Sequence, residues 1–301
     1  MLKNYLKIAL RNLRRNKLYS FINIAGLAVG VTCFLILLLF IWNELSYDSF
    51  NKDASNIYRV FVKAYFDGHD ASNAKTPGVL GPVLKQKYPD VQAYTRIGYH
   101  GMYTFRYNDN VFNESSVYTA DSSFFKIFTL KFLEGNPQTA LTRPNTMVIT
   151  ESMAKKYFGN REPLGKILKV VKGHIEGTGF KKADEDAGSQ GFLITGVIRD
   201  FPENSHFRCG FLVSMSTYKV DRYWLGSNFT TYIKLKKGTS SQAFEKKLAK
   251  ITKDYVVPAA RSHGISMSKF RSEGNLYRFE LEPMTSIYLR SQRKYGIDPN
   301  T

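Results

Sequence analysis

The chain has 301 residues, of which 43% are hydrophobic and 23% charged, with a formal net charge of +18. That length accommodates an anchor plus one large or two small folded domains, and the composition excludes a disordered, collagen-like or disulfide-stapled chain. The bases are scattered rather than gathered in one patch, so no nucleic acid partner is expected, and the two cysteines, Cys33 and Cys209, lie in segments too different in character to pair.

Residues 1–20 read as a basic, amphipathic cytoplasmic leader. Leu2, Leu6, Ala9 and Leu13 recur at helical spacing, and Lys3, Lys7, Arg11 and Arg14 take another face. A helix of this kind lies in a membrane interface with its bases toward lipid headgroups. Residues 21–42, FINIAGLAVGVTCFLILLLFIW, carry no charge. At helical rise they reach about 33 Å, enough to cross a hydrocarbon core of about 30 Å. The apolar run is too long for a signal peptide, and NELSYDSF lacks a small-x-small cleavage site. Bases upstream and Glu44, Asp48 and Asp53 downstream place the N-terminus in the cytoplasm and residues 43–301 outside. Gly26 and Gly30 form a GxxxG, a candidate for close helix packing.

Beyond the span the pattern predicts α+β. Ile57–Tyr65 has the β-branched and aromatic content of a strand, with a turn at Asp67–Asp70. Thr76 and Pro77 read as the N-cap and first residue of a helix that stops before Pro89. Val91–Tyr118 reads as strands, turning at Asn108-Asp109-Asn110, and Asp121 as the cap of a short aromatic helix. Met147–Ile149 reads as a strand, with a helix from Thr150 to Gly159 after it. Gly165–Val171 and Phe192–Ile198 read as strands around a polar, glycine-rich stretch at Lys172–Gln190. Arg208–Ser214 and Thr230–Leu235 complete the central strands. Thr239 and Gln242 form a capping box for a helix with Phe244, Leu248, Ile251 and Tyr255 on one face. Residues 258–275 look loose, and Tyr277–Leu281 alternates like an edge strand.

No catalytic constellation emerges. GNREPLGK, residues 159–166, has one residue too many between its glycines for a phosphate-binding loop. The five histidines have no metal-ligand spacing and read as surface or turn residues. Asp184, Glu185 and Asp186 read as a solvated loop. The chain has no GxSxG and no CxxC. A binding or mechanical module is favoured over an enzyme, with no catalytic, cofactor or metal residues expected.

Several stretches in order resemble the MacB/FtsX-type permeases of ABC transporters. They are LKNYLKIALRNLRRNKLYSFINIAGLAVG, ELSYDSFNKDASNIYRV, DSSFFKIFTLKFLEGNPQTAL, VITESMAKKYFGNREPLGK, TGVIRDFPENSHFRCGFLVS and FELEPMTSIYLRS. The resemblance implies a MacB-like periplasmic core domain inserted after the first membrane helix of a bacterial inner-membrane permease. It implies a separate ATPase chain that holds ATP and Mg, a permease homodimer or related permease, an outer periplasmic partner, and contact with membrane lipid. Substrates of the family are antibiotics, peptides or lipoproteins, exported or extracted at the expense of ATP. Glu44, Tyr47, Asp48 and Phe50 would form the exit from the membrane and transmit motion. The family has further spans where this sequence has one, so a fragment of a longer permease is expected. A signal-anchored outer binding or regulatory module is the other reading.

Overall fold

The computed structural model describes residues 2–99, 101–173 and 191–290. Two units divide at Ser46/Tyr47. The first is helical: α1 covers Leu2–Arg15 and α2 covers Lys17–Leu45. The 29 residues of α2 are about 43 Å long, and they make the one helix among the described residues long and apolar enough to cross a membrane. Its apolar side chains are exposed all round, which in water would leave a large uncompensated apolar area. Gly26 and Gly30 have open space around them.

In the second unit the strands are β1 (Ile57–Phe66), β2 (His69–Asp70), β3 (Val91–Tyr99), β4 (Tyr103–Tyr107), β5 (Asn110–Glu114), β6 (Val117–Ala120) and β7 (Phe132–Gly135). They continue with β8 (Thr146–Thr150), β9 (Ile167–Gly173), β10 (Gly191–Ile198), β11 (Phe211–Ser214), β12 (Thr230–Leu235) and β13 (Leu276–Pro283). The helices are α3 (Leu80–Lys87), α4 (Glu151–Phe158), α5 (Ser241–Ile251), α6 (Val257–Ser262), α7 (Met267–Ser272) and α8 (Ile287–Arg290). One continuous sheet runs β13-β1-β12-β3-β6-β11-β8-β10-β9-β4-β5, with β2 beside β1 and β7 beside β10.

Its first four strands are the scaffold. β1, α3, β3, β12, α5 and β13 follow a β-α-β-β-α-β path, and the neighbours β13-β1-β12-β3 are all antiparallel. This is a split β-α-β unit with β4 to β11 inserted between β3 and β12. Leu80, Leu84, Phe244, Leu248 and Ile251 of α3 and α5 cover one face over Val60, Val62, Ile233 and Leu235. Phe124, Ile127, Phe128 and Phe207 cover Ile57, Ile97 and Tyr232 on the other. Strand residues alternate between the two faces, so both faces can be apolar and still leave every second residue for a separate task. A third cluster, around Phe105, Phe192, Phe211 and Tyr157, belongs to the inserted strands.

Several local expectations shift. Thr76 does not cap α3: it is buried, its Oγ1 donates to Phe229 O at 3.1 Å, and α3 starts at Leu80. The Asp121 side chain is not a helix cap either. It accepts from Arg96 N (2.8 Å), Arg96 Nε (2.9 Å) and Arg96 Nη2 (2.6 Å), because a buried guanidinium needs a carboxylate more than a short turn needs a cap. The cap of α5 is Ser240, which accepts from Ala243 N, one residue beyond Thr239. Residues 258–275 hold α6 and α7 rather than loose chain, because Ser266 caps the second of them and Gly264, at φ +77°, makes the turn between. Gly159 and Gly165 have φ of +61° and +77° and serve as a helix stop and a turn. The loop expected at Lys172–Gln190 begins later, since Lys172 and Gly173 still belong to β9, and its remainder, 174–190 with Asp184, Glu185 and Asp186, lies outside the described residues, as do His100 and His174.

Candidate functional site

The segment just after the helical unit is the most polar part of the interior. Tyr47, Asp48 and Phe50 all lie in it, with Asp48 fully buried and Phe50 half-buried. Glu44 belongs to the last turn of α2, in the helical unit. Asp48 takes φ +59° and Asp53 φ +61°. Aspartate tolerates this left-handed conformation better than most residues, at a cost of about 1–2 kcal/mol, and here both aspartates are held by specific partners.

Asp48 is hydrogen-bonded at its backbone N–H, its carbonyl and Oδ1, while Oδ2 is in close contact with an imidazole nitrogen. Its N–H donates to Asn204 O at 2.9 Å, and its carbonyl accepts from the N–H and Nδ2 of Asn51. Oδ1 accepts from His206 N at 3.2 Å, and Oδ2 lies 2.7 Å from His206 Nδ1. Asn51 is buried in turn and accepts from Thr129 N, while Thr129 Oγ1 accepts from Lys52 N. Asp53 pairs with Lys234 of β12 at 2.8 Å, and this lysine holds the Asp53 carboxyl below its ordinary range.

From His206 the network continues across the sheet. His206 Nε2 is 2.7 Å from Tyr232 Oη on β12. Tyr232 stands directly opposite Arg59 of β1, and Arg59 directly opposite Glu282 of β13. Arg59 donates to Glu282 Oε2 from Nη2 at 2.6 Å and from Nε at 3.1 Å, and its side chain is 1% exposed. Arg59 also hydrogen-bonds Tyr232. His206 Nδ1 and Asp48 Oδ2 are both buried and touch without hydrogen-bond geometry, so the hydrogen-bonded part of the row runs from Arg59 through Tyr232 to His206. Burial raises the Tyr232 phenol well above its ordinary pKa, opposed in part by the Arg59 charge.

The two ends of the domain meet beside this network. After β13 come Met284–Ser286 and α8, and Tyr288 of α8 stacks on Tyr47 with ring centroids 3.4 Å apart and planes 6° from parallel. The segment entering the domain and the segment following its last strand therefore share one aromatic stack.

Sequence reading singled out Tyr47, Asp48 and Phe50, and missed Arg59, His206, Tyr232, Glu282 and Tyr288. His206 corrects the expectation of surface histidines, being only 6% exposed. One signal was available for Arg59. In IYRVFVKAY it shares a strand face with Ile57 and Phe61, and a charge on a buried face requires a buried counter-charge.

Other buried phenols give an alkaline signature. Burial pushes Tyr277 up to about 12, and Tyr103, Tyr157 and Tyr218 are raised as well, the last two partly by neighbours that favour the neutral form. A raised folded-state pKa stabilises the protonated form, so this contribution is whole below the ordinary phenol value of 10.0 and is lost as pH rises toward about 12. Tyrosinate absorbance and loss of near-ultraviolet circular dichroism are expected to rise together over that interval. Tyrosinate formed in full with the dichroism intact would contradict it.

Among the described residues no cluster of metal-binding side chains occurs. Residues 20–251 match the family described as the MacB-like periplasmic core domain. No curated protein matches the chain. Among solved structures, a domain of a Porphyromonas gingivalis protein described as a permease is similar at TM-score 0.60 and 21% identity, over 76% of this chain and 90% of that one. The periplasmic region of MacB from Actinobacillus actinomycetemcomitans matches at TM-score 0.48 and 16% identity, over 81% and 95%. The extracellular domain of the noncanonic ABC-type transporter YknZ from Gram-positive bacteria matches at 0.47 and 15%, over 75% and 100%.

Proposed function

Since the chain belongs to the MacB-like periplasmic core domain family, and so is a component of a transporter permease, we propose that it passes motion between a membrane helix and an outer domain. In this reading α2 anchors the chain in the bacterial inner membrane with the N-terminus cytoplasmic. A separate ATPase chain binds ATP and Mg, and the permease works as a dimer. Export or extraction of a substrate such as an antibiotic, peptide or lipoprotein follows from the outer movement.

One observation carries the proposal. Two residues beyond the helical unit, Asp48 is already a fully buried part of the domain's interior, linked through His206, Tyr232 and Arg59 to Glu282. A flexible linker would absorb displacement, whereas a segment locked by charged hydrogen bonds hands it on. Tyr47, Asp48 and Phe50 would receive the motion, and the Tyr47–Tyr288 stack would share it with the segment after β13.

The test uses the membrane-assembled complex with its ATPase. His206→Gln removes the ring that joins Asp48 to Tyr232. Substrate-stimulated ATP turnover and transport are expected to fall by at least about tenfold, the size of one lost buried hydrogen bond, while circular dichroism shows the domain folded. Unchanged stimulation and transport in a folded variant would remove the transmitting role.

A further inference from the structure

A second feature lies far from this network. Phe270 of α7 meets Phe66 at the far end of β1, with ring centroids 5.3 Å apart. Nine residue steps separate Phe66 from Ile57, about 30 Å at strand rise, so α7 marks the sheet end opposite Asp48. Beside it is a groove of about 770 Å³ between α6 and α7.

The groove owes its wall to a helical irregularity. Between α5 and α6 the helix makes a π-helical turn, Thr252–Val256. Phe244, Leu248, Thr252, Val256 and Ala260 are all buried, at a strict spacing of four. In a regular helix each such step would drift by about 40°, and the wider turn takes up the drift. The same correction aligns Ala249, Lys253, Val257 and Arg261 as a second stripe, alternately small or apolar and cationic, and this stripe lines the groove. Ile265, Met267 and Arg271 line it from the other side, with the hydroxyls of Ser266 and Ser268.

Lys253, Arg261 and Arg271 line the groove from three elements, and no carboxylate lines it. The neighbouring acids are engaged elsewhere, Asp254 with Lys87 and Glu273 with Lys269. Two guanidiniums and an ammonium suit a phosphate oxyanion, and Ala249, Val257, Ile265 and Met267 suit a hydrocarbon portion attached to it. The volume falls within the range of a small-molecule site.

We propose that the groove between α6 and α7 binds a small phosphate-headed amphiphile, with Arg261, Arg271 and Lys253 on the headgroup and Val257, Ile265 and Met267 on the chain. The inference stands apart from the coupling proposed for Asp48, which involves none of these residues.

Calorimetric titration of the full chain in a neutral maltoside detergent tests it, with hexyl phosphate, inorganic phosphate and hexyl glucoside as probes. Saturable binding of hexyl phosphate at one site per chain is expected, weakening as salt rises. Inorganic phosphate is expected to bind at least about tenfold more weakly and hexyl glucoside not at all. Arg261→Gln and Arg271→Gln, both at exposed positions that do not threaten folding, should each weaken hexyl phosphate by about tenfold or more. Met267→Glu should abolish it by setting a carboxylate against the hydrocarbon chain and giving the groove's cations a competing partner. Heat that is the same in these variants reports partition into micelles and overturns the proposal, as does an absence of saturable heat. Inorganic phosphate binding as tightly as hexyl phosphate overturns the amphiphilic occupant in favour of a free anion.

Discussion

Asp48→Ala is expected to destabilise the domain by about 2–4 kcal/mol, because it leaves a buried donor without its charged acceptor. The substitution deletes the acceptor of His206 N and the carboxylate oxygen in contact with His206 Nδ1, both buried, and places a β-carbon without a polar side chain at φ +59°. Asp48→Asn separates these effects. Asparagine keeps the shape and tolerates the left-handed conformation, and its Oδ1 still accepts from His206 N. Its amide, however, sets an N–H against His206 Nδ1 in place of the Oδ2 carboxylate oxygen, so the charge behind that contact is lost. About 1–3 kcal/mol is expected for this variant. Urea unfolding of the full chain in detergent, followed by circular dichroism, gives both values. A cost below about 1 kcal/mol for Asp48→Ala would mean that the segment after α2 is not locked into the interior, and the proposed coupling would lose its physical basis.

Arg59 and Glu282 call for a paired test. Arg59→Met leaves Glu282 without its partner at a position where the side chain is 10% exposed, and about 3–5 kcal/mol of destabilisation is expected. Arg59→Met with Glu282→Leu removes both charges and should recover most of that loss, since well-packed apolar replacements of a buried pair are often neutral. A residue of about 1 kcal/mol is expected to remain, because Tyr232 also loses its bond to Arg59. The outcome that contradicts this is strict additivity, with the double variant as unstable as the sum of the singles. Additivity would show that the charges act separately, and the row Glu282–Arg59–Tyr232 would then be three contacts rather than one network.

Both variants probe what such a buried row contributes beyond stability. Desolvating Arg59 and Glu282 is costly, and the pair repays that cost only in one geometry. β13 must therefore keep its register against β1, which holds Glu282 opposite Arg59 and sets where Tyr288 begins. If the domain moves as proposed, the strands that frame the exit segment move as one body.

The sequence by itself determined the parts that depend on local composition and period. The charge-free run of 22 residues at 21–42 dictates a long apolar helix, because lipid offers the backbone no other hydrogen-bonding partner. β1, β12 and α4 were legible from β-branched content, alternation and terminal glycine, which act within a few residues. α6 and α7 were not, since each is too short to be stable alone and forms only against neighbours supplied by the fold. Asp48 could be named from its place after the span, but its role could not. His206 lies 158 residues away and Glu282 beyond that, and only the β13-β1-β12 register sets Glu282, Arg59 and Tyr232 side by side. The same holds for the groove, whose cations are scattered in sequence and come to line it through a π-helical turn. Strand pairing and helix register are decided by burial over the whole chain, and that is why the tertiary structure, not the local sequence, placed these charges together.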